Sequence, residues 1–165
     1  MSFKEVYEKY YPGLVRFGLQ LNVNSVDAED LVQETFLRYH IMISKDLVLD
    51  NSRAWLYKVM LNLALTRRST QSLHDARIKS SQAAQSQISE EEAHARKERR
   101  ELVFQVLEQL PAKEKNLLLL YHNGLKYKEI ADVLELNPAS VGTLLVRAID
   151  KLRSLLKKDY HELFG

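Results

Sequence analysis

Ser140, Thr143, Arg147 and Lys151 recur along one stretch of the chain at gaps of three, four and four residues. That spacing sets all four on one face of an α-helix. Their chemistry is recognition rather than bond making. Short hydroxyls exchange hydrogen bonds with base edges, a guanidinium grips a guanine edge or a phosphate, and an ammonium suits phosphate. Asn137-Pro138 stands just ahead of them and is a strong helix start, since Asn caps free backbone donors and Pro fits the first helical position. The helix that follows buries Val141, Leu145, Ala148, Ile149, Leu152 and Leu156. The stretch from Tyr127 to Leu136 precedes it, with Ile130, Ala131, Val133 and Leu134 as inward candidates. Together they form a helix-turn-helix whose second helix offers its N-terminal part to a major groove. A helical hairpin with a solvated basic face fits the same pattern, and pattern alone leaves both readings open.

Charge separates two ends of the chain. The stretch from Asp27 to Glu34 holds four acids and no base. From Thr143 to Lys158, Arg147, Lys151, Arg153, Lys157 and Lys158 face Asp150 alone. Such asymmetry within a net charge of only +2 suggests two different partners. Covalent chemistry finds no foothold. His40, His74, His94, His122 and His161 are scattered without a ligand-type spacing, and no Gly-rich phosphate loop exists. The absence of Cys excludes disulfide frameworks, thiolate metal sites and Cys nucleophiles, and fits a reducing cytoplasm. No catalytic residue, metal or cofactor is expected. The start, MSFKEVYEKYYPG, lacks an apolar signal core, and the apolar runs are too short to span a bilayer, so a cytoplasmic protein is expected.

The elements that must position these residues are helical. With five Gly and three Pro in 165 residues, many tight turns are ruled out, and the expected fold is all-α. Phe3, Val6, Tyr7, Tyr10, Leu14, Phe17 and Leu21 recur at helical spacing, with Pro12-Gly13 expected to bend or split the run. A second helix fits VDAEDLVQETFLRYHIMI, with Leu31, Val32, Phe36, Leu37 and Ile41 as its buried stripe. A third fits RAWLYKVMLNLALTRRS, with Trp55, Leu56, Val59, Leu63 and Ala64 near one face. From Thr70 to Arg100 the chain turns to Ser, Gln, Ala and charge, with Leu73, Ile78 and Ile88 as its only large aliphatic residues. This composition predicts a flexible linker, helical near its end at most, across which two lobes sample many separations. Apolar periodicity resumes at Leu102, Val103, Val106, Leu107 and Leu110, and KEKNLLLLYHNG adds a helix that Gly124 stops. The expected organisation is an N-terminal helical lobe over residues 1–69, a linker over 70–100 and a C-terminal helix-turn-helix lobe over 101–165.

Two blocks carry a family resemblance. DAEDLVQETFLRYH followed by RAWLYKVMLNLAL resembles the promoter-melting region of bacterial sigma factors of the extracytoplasmic-function (ECF) group. LPAKEKNLLLLYHNGLKYKEIADVLELNPASVGTLLVRAIDKLRSLL resembles their promoter-reading domain. Order, spacing and length agree across nearly the whole chain. The resemblance implies a transcription initiation factor that binds core RNA polymerase, directs it to promoter DNA and assists DNA opening. It places Asp30, Gln33 and Glu34 on the helix that docks on the polymerase. It gives Asn62, Arg67 and Arg68 to the −10 DNA, with Trp55 and Tyr57 in the same helix, near a pocket that takes a flipped base. It turns Ser140, Thr143, Val146 and Arg147 toward the −35 element, with Lys151 on phosphate. It also implies control by an anti-sigma factor.

Departures from the family pattern sharpen the expectation. Gly142 and Leu144 stand where many relatives carry basic residues, which predicts shallower salt dependence. Glu135 stands where a turn Gly is common, which predicts a looser corner, and Lys126 replaces a Ser or Thr cap. The competing reading is a helix-turn-helix regulator with an N-terminal sensing or dimerising lobe, which would bind a palindrome as a dimer.

Overall fold

The computed structural model describes residues 1–21, 25–70 and 90–164. Among them the chain forms seven α-helices and no strand. The first, α1 (Phe3–Gln20), opens on a reciprocal cap. The Ser2 hydroxyl accepts the Glu5 N–H, and the Ser2 N–H donates to the Glu5 carboxylate at 2.8 Å. Pro12 lies inside one continuous helix, so of the expected bend or split the split does not occur. A mid-helix proline costs about 3 kcal/mol. Val6, Leu14 and Phe17 are fully buried on either side of it, and their packing holds the helix through the defect.

The second helix, α2 (Ser25–Ser44), buries Ala28, Leu31, Val32, Thr35, Phe36 and Tyr39. Gly18 lets α1 come close: a Cβ there would stand 3.2 Å from the Ala28 Cβ and 2.6 Å from Met60 Cε. Thr35 settles its hydroxyl on the Leu31 carbonyl at 2.7 Å, so a polar side chain fits the core. Leu37 and Ile41 were expected in this stripe, yet they are 54% and 47% exposed. The buried positions already complete a three-four repeat, and these two fall outside it.

Asn51 caps the third helix, α3 (Ser52–Thr70), through its carbonyl oxygen on the Ala54 N–H at 3.0 Å. Its buried residues are Ala54, Leu56, Tyr57, Met60, Leu61 and Ala64. Trp55, Val59 and Leu63 are half-buried, so the inward face is rotated from the expected one. Leu73, Ile78 and Ile88, in the expected linker, lie outside the described residues. From Glu90 that stretch is already helical, as α4 (Glu90–Glu108). Three glutamates in its first turn suit the helix dipole, and Val106 and Leu107 anchor its far end. Val103, expected inward, is exposed.

The C-terminal lobe adds α5 (Ala112–His122), α6 (Tyr127–Leu134) and α7 (Pro138–Phe164). Leu117 to Leu120 of α5 are buried, and Gly124 ends its connection at a φ of +83°. Buried Lys115 pairs with Glu108 of α4. The two lobes meet. α3 lies against α6, α1 touches α5, and the buried residues of both lobes form one connected cluster. The linker's composition predicted lobes at many separations; the structure draws them together. The seam is made by side chains within the lobes, so the composition of the joint carries no trace of it.

Candidate nucleic-acid interface

The C-terminal face forms as its caps dictate. The Asn137 side chain accepts the Ala139 N–H at 3.0 Å and its carbonyl accepts the Ser140 N–H at 2.9 Å, which starts α7 sharply. Val141, Leu145 and Ala148 are buried, Ile149 and Leu152 are half-buried, and Ser140, Thr143, Val146 and Arg147 are exposed on the other side. These four share one continuous surface over the first turns of α7. Among the described residues no carboxylate stands within ion-pair distance of Arg147. Lys151 differs: its ammonium meets Glu114 of α5 at 2.6 Å, so in this state it ties the lobe together instead of waiting for phosphate.

The corner before α7 is tight, contrary to expectation. Glu135 adopts the left-handed conformation, with φ 56° and ψ 49°, that a glycine takes there. For an L residue that costs about 1–2 kcal/mol. Leu136 N–H closes the turn on the Ala131 carbonyl at 2.9 Å. At the other end of α6 the Lys126 side chain has no acceptor to offer. The Glu129 carboxylate takes over by accepting the Lys126 N–H at 2.9 Å.

In the N-terminal lobe, Trp55, Lys58, Asn62 and Leu65 follow one another along one side of α3. Asn62 is exposed, whereas Trp55 packs its ring on Tyr39 with centroids 5.9 Å apart. The loop before α3 turns at Asp46, φ 57°, and leaves Val48 91% exposed. Arg67 reaches Asp27 at 3.2 Å. Arg53, Lys58 and Arg67 of α3 are thus held rather than presented. Arg53 stands 3.7 Å from Glu129, and Lys58 stands 3.3 Å from Glu135, both on the opposite lobe. The phenol of buried Tyr57 has its pKa raised above the ordinary 10.0, mainly by burial, with Arg53 and Arg16 pulling against that rise.

On α2, Asp30 and Gln33 are exposed and Glu34 is half-buried. Gln33 donates to the Tyr7 hydroxyl at 3.3 Å, and Glu34 pairs with Arg38 at 3.0 Å. Asp30, Glu34, Leu37 and Ile41 fall in one stripe at gaps of four, three and four residues. The sequence reading placed the last two in the core and so missed them as surface residues. Their register with Asp30 and Glu34 was the available signal. No group of three metal-ligating side chains stands together, and no helix is long and apolar enough to cross a membrane, among the described residues.

Comparison with known proteins decides what these faces belong to. Residues 6–73 match the family model described as Sigma-70 region 2, and residues 100–152 match Sigma-70, region 4. The ECF RNA polymerase sigma factor EcfG of Rhodopseudomonas palustris is 30% identical over 163 residues, covering 93% of this chain and 84% of its own. The chain belongs to the ECF RNA polymerase sigma factors. The ECF RNA polymerase sigma factor SigM of Bacillus subtilis is 28% identical over 98% of this chain and 99% of its own. The solved structure of CnrH in complex with the cytosolic domain of CnrY shares the fold at a TM-score of 0.69 and 23% identity, over 95% of this chain and 88% of that one. The sigma factor RpoE of Bartonella quintana, solved with the anti-sigma factor NepR, shares it at 0.67 and 22% identity, over 94% and 96%. This sigma factor therefore carries both regions, its described residues forming helices and no strand, and sigma factors are in general regulatory proteins rather than catalysts.

Proposed function

We propose that this sigma factor engages its partners through three separate faces. The exposed stripe of α2, with Asp30, Gln33, Glu34, Leu37 and Ile41, binds core RNA polymerase. Charged and amide groups confer specificity there, and the two aliphatic side chains supply apolar area to bury. The start of α7, with Ser140, Thr143, Val146 and Arg147, reads the −35 element in the major groove, and Lys151 reaches phosphate once it leaves Glu114. The exposed side of α3 around Asn62 meets the opened −10 strand beside the loop at Val48, joined by Arg67 once it leaves Asp27 and by Arg68, whose side chain lies outside the described residues. The division into lobes follows residues 1–69 and 101–165, with α4 extending the second lobe back to Glu90. An anti-sigma factor covering these faces would keep the protein idle; the solved relatives bound to CnrY and NepR support that reading. Covalent catalysis has no part in it.

One observation carries the proposal. Leu37 and Ile41 are exposed in line with the acids of α2 and do no work in the core. The test is binding to purified core RNA polymerase, comparing the intact chain with the triple variant Asp30→Ala, Gln33→Ala, Glu34→Ala. The variant should bind at least about 30-fold more weakly, roughly 2 kcal/mol, with an unchanged melting temperature. An intact chain that ignores polymerase yet binds palindromic duplex as a dimer would replace the proposal with the regulator reading.

A further inference from the structure

The seam between the lobes centres on one carboxylate. Glu129 is only 6% exposed. Within its own lobe it closes the N-terminus of α6 by accepting the Lys126 N–H. From the other lobe, Asn51 donates its side-chain N–H to Glu129 Oε2 at 3.2 Å, and the Arg53 guanidinium stands 3.7 Å from Oε1. Asn51 is itself the cap of α3. Two helix N-termini, each the positive end of its dipole, therefore converge on a single negative group. Around it the contacts remain polar. Arg53 also donates to the Asn123 carbonyl at 2.8 Å, the Asn123 side chain donates to Gln20 at 2.7 Å, and Lys58 faces Glu135 at 3.3 Å.

Such a seam holds without being permanent. Separating the lobes removes the Coulomb attraction but returns Glu129 and Arg53 to water, and these two changes oppose each other. The outer pair, Lys58 with Glu135, is solvent-exposed and adds little. The covalent connection does not forbid opening, because a stretch as long as residues 71–89 reaches about 60 Å when extended. What opening releases is specific: two cations, Arg53 and Lys58, on or beside the side of α3 that carries Asn62.

We propose that Arg53 and Lys58 form a phosphate-binding site for single-stranded DNA, and that the free protein masks this site with its own C-terminal lobe. Glu129 and Glu135 sit on these cations as stand-ins for strand phosphates. A nucleic-acid backbone is a competing polyanion, so strand binding and lobe closure exclude each other. The placing of the strand on α3 rests on the proposed function; the masking itself does not.

The chain has no Cys, so two introduced thiols define the labels uniquely. Spin labels at Glu8→Cys on α1 and Lys157→Cys on α7, both exposed sites, report the separation of the lobes by pulsed electron resonance. The parent at low salt should give a distribution dominated by one narrow peak, with only a minor long-distance component. Arg53→Ala leaves every contact within the C-terminal lobe intact, and Glu129→Gln keeps the acceptor for the Lys126 N–H while removing the charge. Both should broaden the distribution toward longer distances, and so should adding an unstructured DNA strand of about 20 nucleotides, somewhat longer than a typical single-strand site, to the parent. Glu129→Gln should also bind that strand about tenfold more tightly, as expected where the competent open form is a tenth of the population. An unchanged distance distribution in Arg53→Ala would sink the masking, and no affinity gain in Glu129→Gln would sink the phosphate site. Neither readout uses polymerase, so a failure of the α2 docking face leaves this result untouched, and the reverse holds as well.

Discussion

The basic residues of α3 and the arginine at the start of α7 stand in opposite circumstances. Arg53, Lys58 and Arg67 each face a carboxylate, and for the first two that carboxylate belongs to the other lobe. Arg147 is exposed on the face proposed to read a groove. The difference is one of supporting structure. The proposed reading face of α7 is fixed by its own lobe through the Asn137 cap and the buried row Val141, Leu145 and Ala148. On the masking proposal, the face of α3 is finished only when the lobes part. A promoter-reading surface can stand ready in the free protein, while a strand-holding surface that is always open would bind any single strand through charge alone.

The largest test of this contrast removes the base of the reading face. Leu145 is 2% exposed, and Leu145→Ala should cost about 2–5 kcal/mol. The single Trp lies in the N-terminal lobe at position 55. Its fluorescence should therefore unfold close to the parent's midpoint, while the helical signal acquires an earlier transition. If both signals fall together, the lobes are one cooperative unit and the contrast is false. A smaller effect belongs to Arg147→Ala. Losing one bidentate base contact costs about 2 kcal/mol, so promoter-specific transcription should drop roughly 30-fold. Binding to core polymerase should not change, and a parallel loss of it would mean that α7 also serves the polymerase. The smallest effect concerns pH. Tyr57 titrates above the ordinary 10.0 in the folded chain because burial favours its neutral form. Its contribution is complete below about pH 10 and is lost as pH rises through the raised folded value. Tyr57→Phe should keep more of its stability in denaturant melts across that alkaline range. A parent and variant with parallel pH profiles would show that the phenol has no such role.

Much of this was legible because it is local. The helices followed from apolar spacing, and the entry into α7 followed from Asn137-Pro138, since a cap and its helix lie within a few residues of each other. The faces were harder. Leu37 and Ile41 are ordinary core types at helical spacing, and only the arrival of α1 and α3 on the other side of α2 leaves them outside. Pro12 is a breaker by every local rule, and it is overridden by the burial of Leu14 and Phe17. Glu135 was read as loosening a corner; the closing hydrogen bond from Leu136 instead forces it into a glycine's conformation. The pairing of Arg53 with Glu129 spans 76 positions, and no spacing rule reaches that far.

The length of α7 has a mechanical consequence. At 1.5 Å per residue its 27 residues form a rod of about 40 Å, of which the reading face takes only the first few turns. Farther along, Gln109 at the end of α4 holds Asp159 at 2.8 Å, and Lys151 is pinned to α5 between the two ends. The rod thus has a tip, a fulcrum and a handle. On the proposed function, a tug on α4 at the handle would tilt the tip while Lys151 still holds Glu114, and so set from a distance the angle at which Arg147 first meets a groove.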